Sequence, residues 1–245
     1  KEKIDAIPVG GFIYLSGNLE NPDQVKIMLK NIQIYSNQRI HLPAVLCVDE
    51  EGGLVARVGN NKNFNVSTFE RMNCIGARKN SEEAYKVGQT IGTYLSDLGF
   101  NVDFAPVADV LTNDENTVVR TRAFGRNPEL VKTMAANLSR GLKSREILTS
   151  YKHFPGHGNT AADTHEGYAY SNKTKEELMK CELIPFKDGI ANKEPFMMVG
   201  HFSLPKVTGD NTPASLSKII VTDLLRKELG YEGIIITDAL NMGAI

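Results

Sequence analysis

Residues 147–165 have the sequence ILTSYKHFPGHGNTAADTH, which starts as a strand and turns into a polar loop. Ile147, Leu148 and Tyr151 are spaced as in a short buried strand. The glycines and the proline that follow are poorly tolerated inside a helix, so a loop is expected there. In parallel α/β folds, ligands bind and reactions occur at the carboxyl ends of the strands. We therefore expect a site here, built from the polar side chains Lys152, His153, His157, Asp163 and His165.

Strand-length apolar runs alternate with helix-start signals on both sides of this stretch. Six strands are predicted at residues 9–17, 44–48, 101–107, 147–151, 196–201 and 233–238. Helix starts are predicted at Asn21-Pro22, Ser81, Asn127-Pro128, Thr174 and Ser217. The strands are continuous apolar runs, which is typical of parallel strands that are buried on both faces. The pattern predicts an α/β fold with a parallel sheet.

Polar side chains follow five of the six predicted strands. They are Asp49, Asp109, Lys152 with His153, His201 and Asp238. Convergence from so many strand ends favours a closed barrel over an open sheet, which binds ligands at one switch point. We expect one domain over residues 1–245 with a (β/α)8 TIM-type barrel. Because eight strands close such a barrel and six are predicted, we expect it to be incomplete at both chain ends.

Composition excludes several classes of protein. The 245-residue chain has a formal net charge of -1 and no long basic run, so neither nucleic acid nor an anionic membrane is an expected partner. Its three cysteines show no CxxC spacing, which argues against a disulfide framework or a zinc ribbon. No apolar run reaches the roughly 20 residues of a membrane span. We expect a soluble monomer, cytoplasmic rather than secreted or lipid-anchored, although the abrupt start at Lys1 keeps those alternatives open.

Asp163 and His165 are candidates for an acid/base pair. An aspartate two residues before a histidine can accept its Nδ1–H, leaving the other ring nitrogen free to exchange protons. The alternative for an isolated motif of this kind is a surface turn. The preceding polar cluster favours the catalytic interpretation.

A metal site is a weaker alternative for the same cluster. His153, His157, Asp163 and His165 offer enough nitrogen and oxygen ligands for zinc. However, His153 and His157 lie on a glycine- and proline-containing loop, and Lys152 adds a positive charge where a cation would bind. We therefore expect no metal.

Asp238 ends a strongly apolar strand, where an ionised carboxylate is costly unless it is solvated, paired or functional. Its alternative role is to cap a following helix. A strand-end carboxylate facing an acid/base group is what covalent glycoside hydrolysis requires. Asp49, Arg57 and Arg122 could bind sugar hydroxyls or paired oxygens; the alternatives are a charged turn and a solvent-facing arginine.

Taken together, these motifs resemble the bacterial β-N-acetylhexosaminidases of glycoside hydrolase family 3. The resemblance covers nearly the whole chain, in order. It is carried by KHFPGHG at 152–158 with DTH at 163–165, VDEEGG at 48–53 with Arg57, RAFG at 122–125 and ITDALNM at 236–242. The sequence departs from the family pattern at Glu50 and Leu54, where glutamine and arginine are more frequent.

The resemblance implies an enzyme that removes terminal β-linked N-acetylglucosamine, for example from peptidoglycan-derived sugars, with retention of configuration and without a cofactor. It implies Asp238 as the nucleophile and His165 as the acid/base, with Asp163 as its partner. It also implies a set of substrate-binding residues, namely Asp49, Arg57, Arg122, Lys152 and His153. An inactive sugar-binding domain and a β-N-acetylglucosaminide phosphorylase remain as alternatives.

Overall fold

A computed structural model describes residues 5, 9–160, 169–243 and 245 of the chain. Its main feature is a six-stranded parallel sheet with the order β1-β2-β5-β6-β7-β8. A separate antiparallel hairpin joins β3 to β4. The strands are β1 Gly11–Tyr14, β2 Val45–Val48, β3 Glu50–Gly52, β4 Val55–Ala56, β5 Val102–Asp103, β6 Leu148–Phe154, β7 Phe196–Val199 and β8 Ile234–Thr237.

All six predicted strands are present, and each pairs in parallel with the next one along the chain once the hairpin is set aside. Chain-order parallel pairing is the arrangement of a TIM-like α/β fold. Among the described residues the sheet does not close, because β1 and β8 are its two edges. The expectation of an α/β fold with parallel strands is therefore confirmed. Of the expected barrel, the described strands form only a part.

The two faces of the sheet pack against different groups. Most of the apolar core lies between the strands and the covering helices. A second, smaller cluster lies on the inner face and is formed by Cys47, Val102, Phe104, Phe196 and Met198. Because side chains alternate between the faces of a strand, the residues that continue this inner row point into the concave side above the cluster.

Helices follow most of the strands, and four of the described helices begin at a side-chain cap. The bounds are α1 Pro22–Ile40, α2 Met72–Ala77, α3 Ser81–Leu98, α4 Pro128–Lys143, α5 Lys175–Lys180, α6 Leu183–Ala191 and α7 Pro205–Thr208, followed by a helix of π spacing at Ile219–Glu228. Asn21 and Asn127 accept backbone N–H groups in the first turns of α1 and α4, at 3.0 Å in both cases. Thr174 and Glu177 form the predicted capping box of α5. None of the described helices combines the length and the apolar character needed to span a membrane.

Two local predictions differ from the structure. The cap of α3 is Asn80, one residue before the predicted Ser81. The segment after the single predicted helix start at Thr174 forms two helices, α5 and α6, because Pro185 in one continuous helix would clash with the carbonyl of Cys181. No local sequence pattern predicted the β3–β4 hairpin, α2 or α7.

Helices α3 and α4 pack backbone against backbone. A Cβ atom on Gly88 would lie 2.1 Å from the carbonyl oxygen of Leu138, and one on Gly141 would lie 2.2 Å from that of Tyr85. Both distances are far below van der Waals contact, so this interface requires glycine at both positions. The close approach fixes the two helices against each other behind β5 and β6.

Candidate active site

A chain of ion pairs links the ends of β2, β3 and β6. Lys152 Nζ lies 2.8 Å from Asp49 Oδ1 and 2.7 Å from Glu51 Oε1. Arg122 holds the same Glu51 carboxylate in a fork, with Nε 2.8 Å from Oε2 and Nη2 2.6 Å from Oε1. The fork is the strong, directional form of an arginine–carboxylate pair. Residues that are up to 103 positions apart in sequence are thus brought into one polar cluster.

Burial gives these ion pairs their electrostatic consequences. The side chains of Lys152 and Glu51 are only 2% and 1% exposed. Burial alone would raise the pKa of Glu51, but the charges of Arg122 and Lys152 outweigh it and hold that pKa far below its usual range. Burial alone would lower the pKa of Lys152, but Asp49 and Glu51 raise it above its ordinary value. Glu51 and Lys152 therefore both stay charged at neutral pH.

His153 is held by Asp109, which is completely buried. The Nδ1 atom of His153 lies 2.7 Å from Asp109 Oδ2, while the backbone N–H of His157 donates to Asp109 Oδ1 at 2.7 Å. Burial would raise the pKa of Asp109, but His153 and His157 bring it below the ordinary value. The Nε2 atom of His153 lies 3.3 Å from Arg122 Nη2, which can only donate. In the neutral form of the ring, the proton therefore lies on Nδ1, which donates to Asp109.

Asp238 follows β8 directly and is partly buried. Its backbone N–H donates to the carbonyl oxygen of Val199 at 3.0 Å, and its Oδ1 accepts the N–H of Ala239 at 2.7 Å. Burial raises its pKa, but His153, the Ala239 N–H and Lys152 together lower that pKa below the ordinary value. An ionised carboxylate thus lies within electrostatic reach of the ion-pair cluster.

Arg57 lies at the edge of the same cluster. Its Nη2 is 3.9 Å from Asp49 Oδ2, which is a long ion pair with a partly exposed arginine. Its Nε is buried and has no hydrogen-bond partner among the described residues. A buried donor of this kind is costly unless a partner satisfies it.

The structure brings six of the predicted site residues together: Asp49, Arg57, Arg122, Lys152, His153 and Asp238. The predicted pair Asp163 and His165 lies outside the described residues. No group of three or more potential metal ligands was found within residues 9–160 and 169–243. Both ring nitrogens of His153 already have partners, which argues against the zinc alternative at that residue.

Three residues with clear structural roles in the site were not among the site residues predicted from the sequence. Glu51 bridges Lys152 and Arg122, whereas the sequence placed it only within the VDEEGG motif at 48–53. Asp109 and His201 were recognised as polar strand-end residues, and that position was the available signal. Their contacts depend on partners distant in sequence, which spacing alone cannot reveal.

Comparisons with known proteins show the family of this chain. The model of the glycosyl hydrolase family 3 N-terminal domain matches residues 1–245. Beta-hexosaminidase A of Pseudoalteromonas piscicida is 33% identical over 259 residues, covering 100% of this chain and 43% of that protein. The family 3 β-N-acetylglucosaminidase of Paenibacillus sp. str. FPU-7 superposes with a TM-score of 0.91 at 36% identity, covering 97% of this chain and 44% of that one.

A third relative was solved with a sugar derivative. NagZ from Neisseria gonorrhoeae, in complex with N-trifluoroacetyl-D-glucosamine, superposes with a TM-score of 0.85 at 30% identity, covering 95% of this chain and 68% of that one. The chain therefore spans less than half of the first two proteins and about two thirds of the third. The family model and these matches show that the chain belongs to glycosyl hydrolase family 3 and, within it, resembles the β-N-acetylglucosaminidases.

Proposed function

We propose that the protein is a retaining exo-β-N-acetylglucosaminidase that acts on terminal β-linked N-acetylglucosamine, with peptidoglycan-derived sugars as its substrates. The observation that carries the proposal is Asp238, an ionised and partly buried carboxylate beside a cluster of buried cations. We further propose that residues 1–245 belong to a single catalytic domain with a (β/α)8 barrel fold. We also propose that the protein acts as a monomer.

In the proposed first step, a carboxylate oxygen of Asp238 attacks the anomeric carbon of the sugar. The bond to the leaving oxygen breaks, and that oxygen takes a proton from His165, oriented by Asp163. The product is a covalent glycosyl-aspartate. In the second step, His165 removes a proton from water, whose oxygen attacks the anomeric carbon and releases Asp238. Two inversions at the same carbon give net retention.

The remaining polar groups of the cluster would hold the sugar. Carboxylate oxygens of Asp49 accept hydroxyl protons, while Lys152 donates to hydroxyl oxygens. The unpaired Nε of Arg57 is a donor that a sugar oxygen would satisfy. Arg122 and His153, which contact each other, complete the binding surface.

Asp109 and His153 form an aspartate–histidine pair of their own, so an alternative acid/base deserves comparison. The Nε2 of His153 faces the guanidinium of Arg122 at 3.3 Å, and that charge opposes a proton on Nε2. A general acid must carry and release such a proton. This observation supports a binding role for His153 and leaves the acid/base role to His165.

The test is hydrolysis of an aryl β-N-acetylglucosaminide by the wild type, by Asp238→Ala and by the control Asp97→Ala. Asp97 is exposed on α3. We expect Asp238→Ala to lose about a thousandfold or more in kcat, as when other catalytic residues of a covalent mechanism are removed. The control should keep the wild-type rate, and equal rates for wild type and Asp238→Ala would end the proposal.

The same assay separates the alternatives. A phosphorylase would require phosphate and release a sugar phosphate, so product analysis with and without phosphate distinguishes it from a hydrolase. A non-catalytic sugar-binding domain would bind N-acetylglucosamine in calorimetry without any turnover. Parallel assays with the aryl β-glucoside test the preference for the acetamido group.

A further inference from the structure

His201 is buried just beyond the end of β7. Both of its ring nitrogens have protein partners. Nε2 lies 3.0 Å from the carbonyl oxygen of Ala239, and Nδ1 lies 2.7 Å from Oγ of Ser215. Neither contact involves a group assigned to the sugar.

The partners of His201 determine its tautomer. A carbonyl oxygen can only accept, so Nε2 must carry a proton and donate it to Ala239. In the neutral ring, Nδ1 is then the acceptor and the hydroxyl of Ser215 donates to it. Ser215 is itself anchored, because its backbone N–H donates to the carbonyl oxygen of Gly200 at 3.2 Å.

Ala239 connects His201 to the carboxylate of Asp238 through its two backbone polar groups. Its carbonyl oxygen accepts from His201, while its N–H donates to Asp238 Oδ1 at 2.7 Å. The turn residue is thus held at both of its polar ends. The result is a continuous series of hydrogen bonds that runs from Ser215 through His201 and Ala239 to the carboxylate.

We infer that His201 and Ser215 are positioning residues for the reaction, because they fix the turn that sets the direction of the Asp238 carboxylate. This inference rests on the proposed function, in which Asp238 is the nucleophile. With Oδ1 engaged by Ala239, the orientation of the carboxylate group follows the orientation of that peptide.

A positioning role predicts a particular kinetic pattern. Nucleophilic attack requires the reacting atoms to be about 3 to 3.5 Å apart and aligned, and a misplacement of about 1 Å can lower the rate about a hundredfold. The sugar-binding groups lie elsewhere, directly after β2, directly after β4, on β6 and in the loop that carries Arg122. Release of the Ala239 turn should therefore slow formation of the glycosyl-enzyme without weakening sugar binding.

The experiment compares His201→Gln, Ser215→Ala and Ser215→Thr, with Ser96→Ala on the exposed surface of α3 as the matched control. Stopped-flow release of the aryl group measures the first step, and calorimetry measures N-acetylglucosamine binding. We expect His201→Gln and Ser215→Ala to slow the first step about ten- to a hundredfold, with the sugar affinity unchanged within about twofold. Ser215→Thr, which keeps the hydroxyl, should recover most of the rate lost in Ser215→Ala.

Wild-type rates in both His201→Gln and Ser215→Ala would overturn the inference. So would a loss of sugar affinity in proportion to the loss of rate, or a drop in folded fraction that accounts for it, because either result indicates a general structural role. A wild-type protein without turnover, or an Asp238→Ala variant as active as wild type, would instead overturn the proposed function and this inference with it.

Discussion

Glu50 and Glu51 are adjacent on β3, yet the protein uses them in opposite ways. Both are buried. Glu51 faces the ion-pair cluster and contacts Lys152 and Arg122. Glu50 points to the other side, where its carboxylate accepts the backbone N–H groups of Val58 and Gly59 and the hydroxyl of Tyr94.

The surroundings of the two acids move their pKa values in opposite directions. Two buried cations hold the pKa of Glu51 far below its usual range despite its burial. Burial raises the pKa of Glu50, and its hydrogen bonds with Val58 and Tyr94 only partly offset this effect. Identical neighbouring side chains thus become a site anion and a structural group, because successive residues of a strand face opposite sides.

Among the variants that test this difference between the two acids, the largest expected effect comes from removing the charge of Glu51. In Glu51→Gln, Lys152 and Arg122 share a neutral partner whose amide N–H group repels one of them. Removing one partner of a buried ion pair costs about 3 to 5 kcal/mol. We expect a loss of about 3 kcal/mol in unfolding free energy and about a hundredfold in kcat/KM, measured by chemical unfolding and aryl glycoside hydrolysis.

The matched control is Glu50→Gln, at the next residue. It should retain kcat/KM within about threefold and lose about 1 to 3 kcal/mol of stability, because an amide N–H then meets a backbone N–H. A hundredfold rate loss in Glu50→Gln, or full activity in Glu51→Gln, would contradict the different roles assigned to the two acids.

Asp103, beside Glu50, should make the stability of the protein depend on pH. Its Oδ1 accepts the N–H of Glu50, its Oδ2 has no partner among the described residues, and burial holds its pKa well above the ordinary value. Above about pH 4, the folded protein keeps a proton on Asp103 that the unfolded chain has lost. The free energy of unfolding therefore falls as pH rises, by about 1.4 kcal/mol per pH unit, until the folded-state group also ionises.

Asp103→Asn should remove this contribution, so the difference in stability between wild type and variant should change as the pH rises above about 4. Taking the difference also cancels the contribution of His157, because both proteins contain that residue. Burial and the nearby His153 lower the pKa of His157 to about 4. Below about pH 6.5, its effect on stability therefore has the opposite sign to that of Asp103. The exposed Asp97→Asn provides the control. The free energies of unfolding are measured in urea at each pH. A constant difference between wild type and Asp103→Asn across this pH range would contradict the prediction.

The smallest expected effect is that of Tyr94→Phe, which removes the hydroxyl that donates to Glu50 at 2.8 Å. Loss of one hydrogen bond to a buried group costs about 1 kcal/mol. Activity should not change, because the contact lies behind the strand and away from the cluster. Tyr85→Phe on the same helix is the control for thermal unfolding, and an equal stability loss in both variants would remove the special role of the Glu50 contact.

The sequence was sufficient to predict the framework of the fold. Apolar runs such as 44–48 indicated β2 correctly because a strand buried on both faces has few polar residues. The hairpin that carries Glu50 and Glu51 was missed because its charges and glycines resemble a surface turn. Helix α2 was missed because it has six residues and no side-chain cap. In these places tertiary contacts, and not local preference, decide the structure.

The site was predictable in part for the same reason. Asp49 and Asp238 directly follow β2 and β8, and Lys152 follows the predicted strand 147–151, so their position alone marked them. The bridge from Glu51 to Arg122 spans 71 residues, and the contact from His201 to Ala239 spans 38. Such pairings depend on how the strands and loops are arranged in space, which no local pattern records.

The glycine contact between α3 and α4 has a consequence for how this chain can diverge over time. Where side chains meet, a larger residue on one element can be accommodated by a smaller one opposite. At Gly88 and Gly141 the opposite atoms belong to the main chain, which no mutation can shrink. Change at either position must therefore wait until the two helices have already moved apart, so this contact limits the order in which substitutions can accumulate.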